Sequence, residues 1–365
     1  MKVVHLSSAH LKNDIRICIK ECQSLVKSSY DVSFVVWGQE EEVINGVKIV
    51  NSGERRGSRY KRFLLGAREV YKKGLSINAD VYHVHDPELL YYAYKLKRKG
   101  YKVIYDVHEG VADQIMSKYW IPASLREFVS KAFTVFENKC AKRLDAIITA
   151  TTHISKEFTD FHSNVTVINN YPLFGDIEPS TPWEDKEKSI SYAGGITEIR
   201  GIIPLVKAVQ LSNTPLKLAG SYRPATLKDT VQSIDSKGLV DYKGMVDREA
   251  LNDMLNTSKI GIVTFLPAAN HISAQPNKMF EYMAAGIPVI CSHFELWKEI
   301  IDFAKCGLYV DPTSAEELSV AINKILGDDS LAKQMGENGR KAVLSTYNWN
   351  QEENKLLAVY SDLSA

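Results

Sequence analysis

The chain has 365 residues, with 45 Lys and Arg against 44 Asp and Glu and a net charge of +1. At roughly 150 residues per domain this length implies two domains, each large enough to bury its own core. No apolar run approaches the roughly 20 residues of a membrane span. The five cysteines are odd in number and include no C-x-x-C pair, which argues against a disulfide framework or a zinc site.

The N-terminus enters a strand-like run, Val3–Ser7, with no basic-then-apolar leader, so a cytoplasmic location is expected. The following loop, Ser7 to Arg16, opens a helix over Asp14–Lys27 that Asn13 or Asp14 can cap. Cys18 and Cys22 lie one turn apart on it and read as small buried residues. A strand follows at Val32–Trp37. Residues 51–75 carry eight Lys and Arg against Glu54 and Glu69, beside an apolar side of Phe63, Leu64, Ala67 and Val70. A helix there, Tyr60–Lys73, suits either an anionic membrane surface, through residues 55–73, or packing on its own sheet.

The strand Val81–His85 leads into Asp86-Pro87, read as an N-cap and first helical turn for Pro87–Lys99. His83 and His85 share one strand face, but no further ligand cluster is spaced for a metal. The strand Lys102–His108 ends in Asp106-Val107-His108-Glu109, and a histidine at the carboxyl end of a parallel strand faces a ligand crevice. Helices at Ser124–Arg143 and Ile154–Phe161 flank a strand at Ala146–Ala150.

The stretch Glu178 to Asp185 is rich in proline and charge and has no period, as linkers do. Domains are therefore expected at 1–172 and 189–345, joined by 173–188, with a terminal helix at 346–365 free to return to the first domain. Residues 1–175 hold 26 Lys and Arg against 19 Asp and Glu, and the remainder 19 against 25, so the halves should meet different partners. In the second half, strands at Ser189–Ala193, Leu216–Ala219, Ile260–Phe265, Pro288–Cys291 and Leu308–Val310 alternate with helices, ending in helices at Asp328–Ser345 and Asn350–Asp362. Two runs of such alternation imply an α/β chain of two doubly wound, Rossmann-like domains facing a cleft.

Two segments of the second half carry chemistry. In Ala193-Gly194-Gly195-Ile196-Thr197-Glu198-Ile199-Arg200-Gly201 the glycines permit close backbone approach to a phosphate, and Arg200 offers a planar cation. In Pro276-Asn277-Lys278-Met279-Phe280-Glu281 a helix start offers free N–H groups with Lys278, and Glu281 one turn on could accept from a diol. The pattern alone fits equally well a capped surface helix followed by a buried strand.

The segment Pro276 to Ile290 resembles the donor signature of retaining GT-B glycosyltransferases, in particular family 4 with its capsule and exopolysaccharide enzymes. The resemblance extends over nearly the whole chain. It implies a GT-B fold, and a nucleotide-diphosphate sugar as donor with no metal and no cofactor. It also implies retention at the anomeric carbon and transfer to a glycan or lipid-linked acceptor in surface polysaccharide biosynthesis. By the same resemblance Glu281 binds ribose, Arg200 holds the diphosphate, and His108 and Glu109 lie at the transferred sugar; Lys278 is read as the second cation, and Gly194, Gly195, Ser273, Pro276 and Asn277 complete the expected donor site. The first loop contributes His10, Asp14 and Arg16 beneath donor sugar and acceptor. The family's earlier glutamate is Ser273 here, and its basic residue in the glycine turn is Gly195. No nucleic-acid partner is expected, and the protein would work in the cytoplasm or peripherally at the inner membrane face. A sugar-nucleotide epimerase shares the fold, with Asp106 and Glu109 as candidate bases, and a two-domain solute-binding protein shares the outline. A nicotinamide dehydrogenase is disfavoured, because no G-x-G-x-x-G follows the first strand.

Overall fold

A computed structural model describes residues 1–54, 65–118, 121–173, 175 and 177–364. The chain divides into two units, one made of Met1–Asn170 with Trp349–Ala365 and the other of Tyr171–Asn348. Among the described residues each unit is an α/β layer structure built on one mainly parallel sheet.

In the first unit the strands are β1 (Lys2–Ser7), β2 (Asp31–Val36), β3 (Glu42–Ile44), β4 (Val47–Asn51), β5 (Val81–Val84), β6 (Lys102–Val107), β7 (Ala146–Thr149) and β8 (Val165–Val167). Their order is β3-β4-β2-β1-β5-β6-β7-β8, parallel except for the β3–β4 hairpin. Sequence reasoning overlooked that hairpin. Its signal is Asn45-Gly46, both at positive φ, which is what a two-residue turn between right-twisted strands requires. The central strands are buried along their length because helices cover both faces. The helix Ala67–Ile77 lies close against β1: a Cβ on Gly74 would stand 2.5 Å from the Leu6 side chain. Its Ala67 and Val70 are fully buried. That half of the expected membrane-facing stripe therefore packs inward, while residues 55–64, with Phe63, Leu64 and five of the cations, lie outside the described residues. The terminal helix Trp349–Ser364 closes this unit. Trp349 Nε1 donates to Ser24 Oγ at 3.0 Å, and Glu352 Oε2 accepts from the Asn169 amide at 2.8 Å.

The second unit contains β9 (Glu187–Ala193), β10 (Leu216–Ala219), β11 (Val240–Gly244), β12 (Ser258–Val263), β13 (Val289–Ser292) and β14 (Gly307–Val310). They run parallel in the order β11-β10-β9-β12-β13-β14. The chain winds outward from β9 and then returns to place β12 on its other side. At such a reversal the loops leave in opposite directions and a crevice opens at the carboxyl ends of β9 and β12. The helix Asn277–Ala284 lies so near β12 that a Cβ on Gly261 would meet the Tyr282 ring at 2.2 Å. Trp297, fully buried beside Phe265 and Phe294, anchors the far side of this core; truncating it to Ala would cost about 3–5 kcal/mol. β11 escaped the sequence reading because, as an edge strand, it keeps most of its residues in solvent.

Candidate active site

In the second unit, β9 ends at Ala193 and the chain turns through Gly194, at φ +132°. Gly220 passes so close that a Cβ there would stand 1.8 Å from the Gly194 oxygen, so only glycine fits. A Cβ on Gly194 would meet Lys278 Nζ at 2.8 Å, and one on Gly195 would meet Arg200 Nη1 at 3.0 Å. Two cations from separate segments thus converge on one glycine turn. Arg200 lies in the short turn Glu198–Arg200, its guanidinium 5.2 Å from the Phe265 ring centroid. Lys278 is in the first turn of its helix, 4.2 Å from the Tyr192 ring centroid.

Lys278 Nζ is buried and has no hydrogen-bond partner among the described residues. Burial, and Arg200 beside it, bring its pKa down to about 7, with Glu281 pulling the other way. A desolvated ammonium facing a second cation is costly unless an anion neutralises both. Thr197 Oγ1, Thr264 Oγ1, Asn270 Oδ1 and Gln275 Oε1, from the loops around these cations, are also buried without partners. Side chains of this kind normally find a partner, so the crevice is chemically incomplete as an ordinary core. Pro276 caps the helix that Asn277 begins. Ser273 Oγ donates to the Ala269 carbonyl at 3.1 Å, within its own short helix. Glu281 does not stand alone: its Oε1 accepts from Arg248 Nη1 at 2.7 Å, which leaves Oε2 for a further donor. Sequence reasoning missed Arg248, since nothing in the local spacing links positions 248 and 281.

In the first unit, the reversal falls between β1 and β5. Asp86 does not use its side chain to cap its own helix, as the sequence suggested. Its Oδ2 instead accepts from Ser7 Oγ at 2.8 Å and from the amides of Ser8 and Ala9 at 2.7 and 3.1 Å, pinning the first loop. Asp14 both caps its helix, accepting from Ile17 N at 3.0 Å, and holds His10 Nδ1 at 2.9 Å. His10 Nε2 lies 3.5 Å from Asp86 Oδ1. Burial works against charging His10, yet the two carboxylates raise its pKa above the ordinary histidine value. Glu109 is exposed, whereas His108 is half-buried and turned toward Asp106.

Beneath these groups lies a buried polar chain that no sequence spacing announced. Arg16 donates through Nε and Nη2 to both oxygens of Asp106, at 3.2 and 2.9 Å. Against burial, this guanidinium holds Asp106 well below the carboxylate range. Glu21, 3.0 Å from Arg16, is pushed upward by burial and by Asp106. Burial keeps His5, His83 and His85 neutral, so each ring has a single N–H. Asp106 Oδ2, which can only accept, faces His85 Nδ1 at 3.4 Å and His108 Nε2 at 3.2 Å. His85 Nδ1 and His108 Nε2 are themselves hydrogen-bonded at 3.1 Å, so one of the two carries the proton between them; beyond them His85 Nε2 pairs with His5 Nδ1 at 2.9 Å, and His5 Nε2 with the Tyr360 hydroxyl at 3.2 Å. The Tyr360 hydroxyl in turn pairs with His83 Nδ1 at 2.8 Å, so the direction of every bond in the chain follows from the tautomer of one ring.

Residues 17–171 match the family model Glycosyltransferase Family 4, and residues 175–342 match Glycosyl transferases group 1. The chain is 23% identical to an uncharacterized glycosyltransferase of Methanocaldococcus jannaschii, over 94% of this chain and 92% of that protein. A sucrose-phosphate synthase from Thermosynechococcus elongatus superposes with TM-score 0.79 at 17% identity, covering 99% of this chain and 98% of that one. HepE of Anabaena, solved with UDP-glucose, superposes with TM-score 0.73 at 12% identity over 99% and 100% of the two chains. With two matched segments that abut at the boundary between its units, the chain is a glycosyltransferase of the GT-B fold.

Proposed function

We propose that this glycosyltransferase takes its sugar from a nucleoside-diphosphate sugar held in the second unit, retains the anomeric configuration and needs no metal ion for the donor. The observation that carries the reading is the buried, unpartnered Lys278 beside Arg200 on the glycine turn. A departing nucleoside diphosphate develops negative charge, and two fixed cations with helix N-terminal amides can neutralise it. Glu281 Oε2, beside the Arg248 pair, fits a ribose hydroxyl. HepE was solved with UDP-glucose, a donor of this class. Retention rests on the resemblance of Pro276 to Ile290 to the family signature. His108, half-buried at the carboxyl end of β6, suits a sugar hydroxyl, which can donate to or accept from its Nδ1. The acceptor substrate is a glycan or lipid-linked sugar of surface polysaccharide assembly.

The test is thermal stabilisation by UDP, GDP, ADP and CMP, followed by donor turnover with the best match in excess chelator. Stabilisation by a diphosphate, and a product of unchanged anomeric configuration formed in chelator, are expected. No response to any nucleotide, loss of turnover restored by magnesium or manganese, or release of an epimerised sugar nucleotide would overturn the reading.

A further inference from the structure

The helix Ala123–Ala141 carries more apolar surface than the core of its own unit covers. Of its nineteen residues it buries Glu137, Cys140 and Ala141. Val129 and Phe133 on the same face are half-buried, and Glu137 accepts from the Tyr105 hydroxyl at 2.9 Å. Other large apolar side chains point outward: Phe128 is 73% exposed, Val135 70% and Leu125 50%. At 3.6 residues per turn, Leu125, Phe128, Ala132 and Val135 form one stripe, which Phe136 widens. Single exposed apolar residues need no explanation, but a continuous stripe left outside the core does.

The charge around the stripe selects the occupant. Lys131 flanks it, though paired with Glu127 at 2.7 Å. Lys139, Lys142 and Arg143 stand at its C-terminal end, all three exposed. An apolar stripe rimmed by cations matches the boundary between acyl chains and anionic headgroups, where the rings enter the hydrocarbon and the cations stay at the phosphate level. A protein partner or a second copy would be expected to cover the stripe with apolar surface and to gain nothing from the cations.

We propose that this helix docks the enzyme on an anionic lipid surface, with Phe128 and Val135 inserted. The inference gives a physical reason for the lipid-linked acceptor read above, but it stands on this helix alone. Nucleotide binding in solution reports on the donor reading and is independent of it.

The experiment is flotation of the full chain with phosphatidylcholine vesicles, with and without phosphatidylglycerol. Wild type should float only with the anionic vesicles, and less in high salt. Phe128→Ser with Val135→Ser should reduce binding about tenfold or more while leaving the melting temperature and diphosphate binding unchanged, since both positions are exposed. Phe128→Trp should show blue-shifted emission on the anionic vesicles alone. The proposal fails if wild type does not float, if the double variant floats as wild type does, or if wild type is a dimer in solution that the double variant dissolves.

Discussion

Replacing Lys278 by methionine should stabilise the ligand-free protein while weakening its grip on a diphosphate. Burial and Arg200 bring the ammonium to about 7 from 10.5. A tenfold change in ionisation is worth about 1.4 kcal/mol, so carrying this charge costs the folded chain at most about 5 kcal/mol. The folded chain releases the proton as pH rises through about 7, and the unfolded chain holds it until about 10.5. Within that window the unfolded state binds more protons, so this group's contribution to stability rises with pH. A methionine removes both the cost and the rise. At neutral pH and below the gain should be about 2–4 kcal/mol, short of the ceiling because the shorter side chain leaves some volume unfilled. That corresponds to a rise of about 5–15 °C in the melting of this unit. Binding responds in the opposite direction. Removing one charge-assisted hydrogen bond to the phosphates costs about 1.5–3 kcal/mol, or roughly 10- to 150-fold in Kd. Since the diphosphate requires the charged lysine, wild type should take up close to one proton on binding at about pH 8, and the methionine variant none. Calorimetry in buffers of differing ionisation heat measures this. A variant that is less stable than wild type and binds equally well would refute the placement of the anion.

Three further outcomes are expected. Glu281→Ala should weaken nucleotide binding by about 1.5–3 kcal/mol and abolish the preference for ribonucleotide over 2′-deoxynucleotide; a variant that still discriminates removes Glu281 from the ribose site. Asp106→Asn removes one of the two carboxylates beside the buried Arg16, leaving Glu21 at 3.0 Å as its partner, and should cost about 1.5–3 kcal/mol. Long-range ¹⁵N spectra should show His108 in one dominant tautomer in wild type and in a mixture of tautomers in this variant; an unchanged spectrum means Asp106 does not set the ring. Tyr360→Phe cuts the same chain at its far end and should cost about 1–2 kcal/mol without altering His108, a result that separates a tautomer effect from general loosening.

The glycine turn and the two cations that converge on it could be read in the sequence because their parts are local: Gly194-Gly195 ends a strand, and Pro276 with Lys278 begins a helix. Such turns and caps depend on neighbouring residues, and neighbours are what a sequence displays. The pairing of Glu281 with Arg248 and the chain from His83 through Tyr360 to His108 depend on which strands lie side by side. Only the topology brings position 360 to position 5. The β3–β4 hairpin was written plainly in Asn45-Gly46 and overlooked because the preceding acidic run resembles a loop. Short outer strands such as β8 and β11 have too little buried alternation to stand out. The helix at 123–141 was legible as a helix, but a period of apolar residues does not say which way it faces.

The terminal helix Trp349–Ser364 gives the chain an unusual order of completion. The second unit is one unbroken segment, Tyr171–Asn348, so it has all its parts once that segment has left the ribosome. The first unit is made earlier but lacks Trp349 against Ser24, Glu352 at the Asn169 amide and Tyr360 between two buried histidines. Those residues emerge after every other part of both units. The unit synthesised first is therefore finished last, and its histidine chain closes only once the terminal helix is free to dock. A chain terminated before Trp349 would keep the crevice around Lys278 and lose the Tyr360 end of the chain that leads to His108.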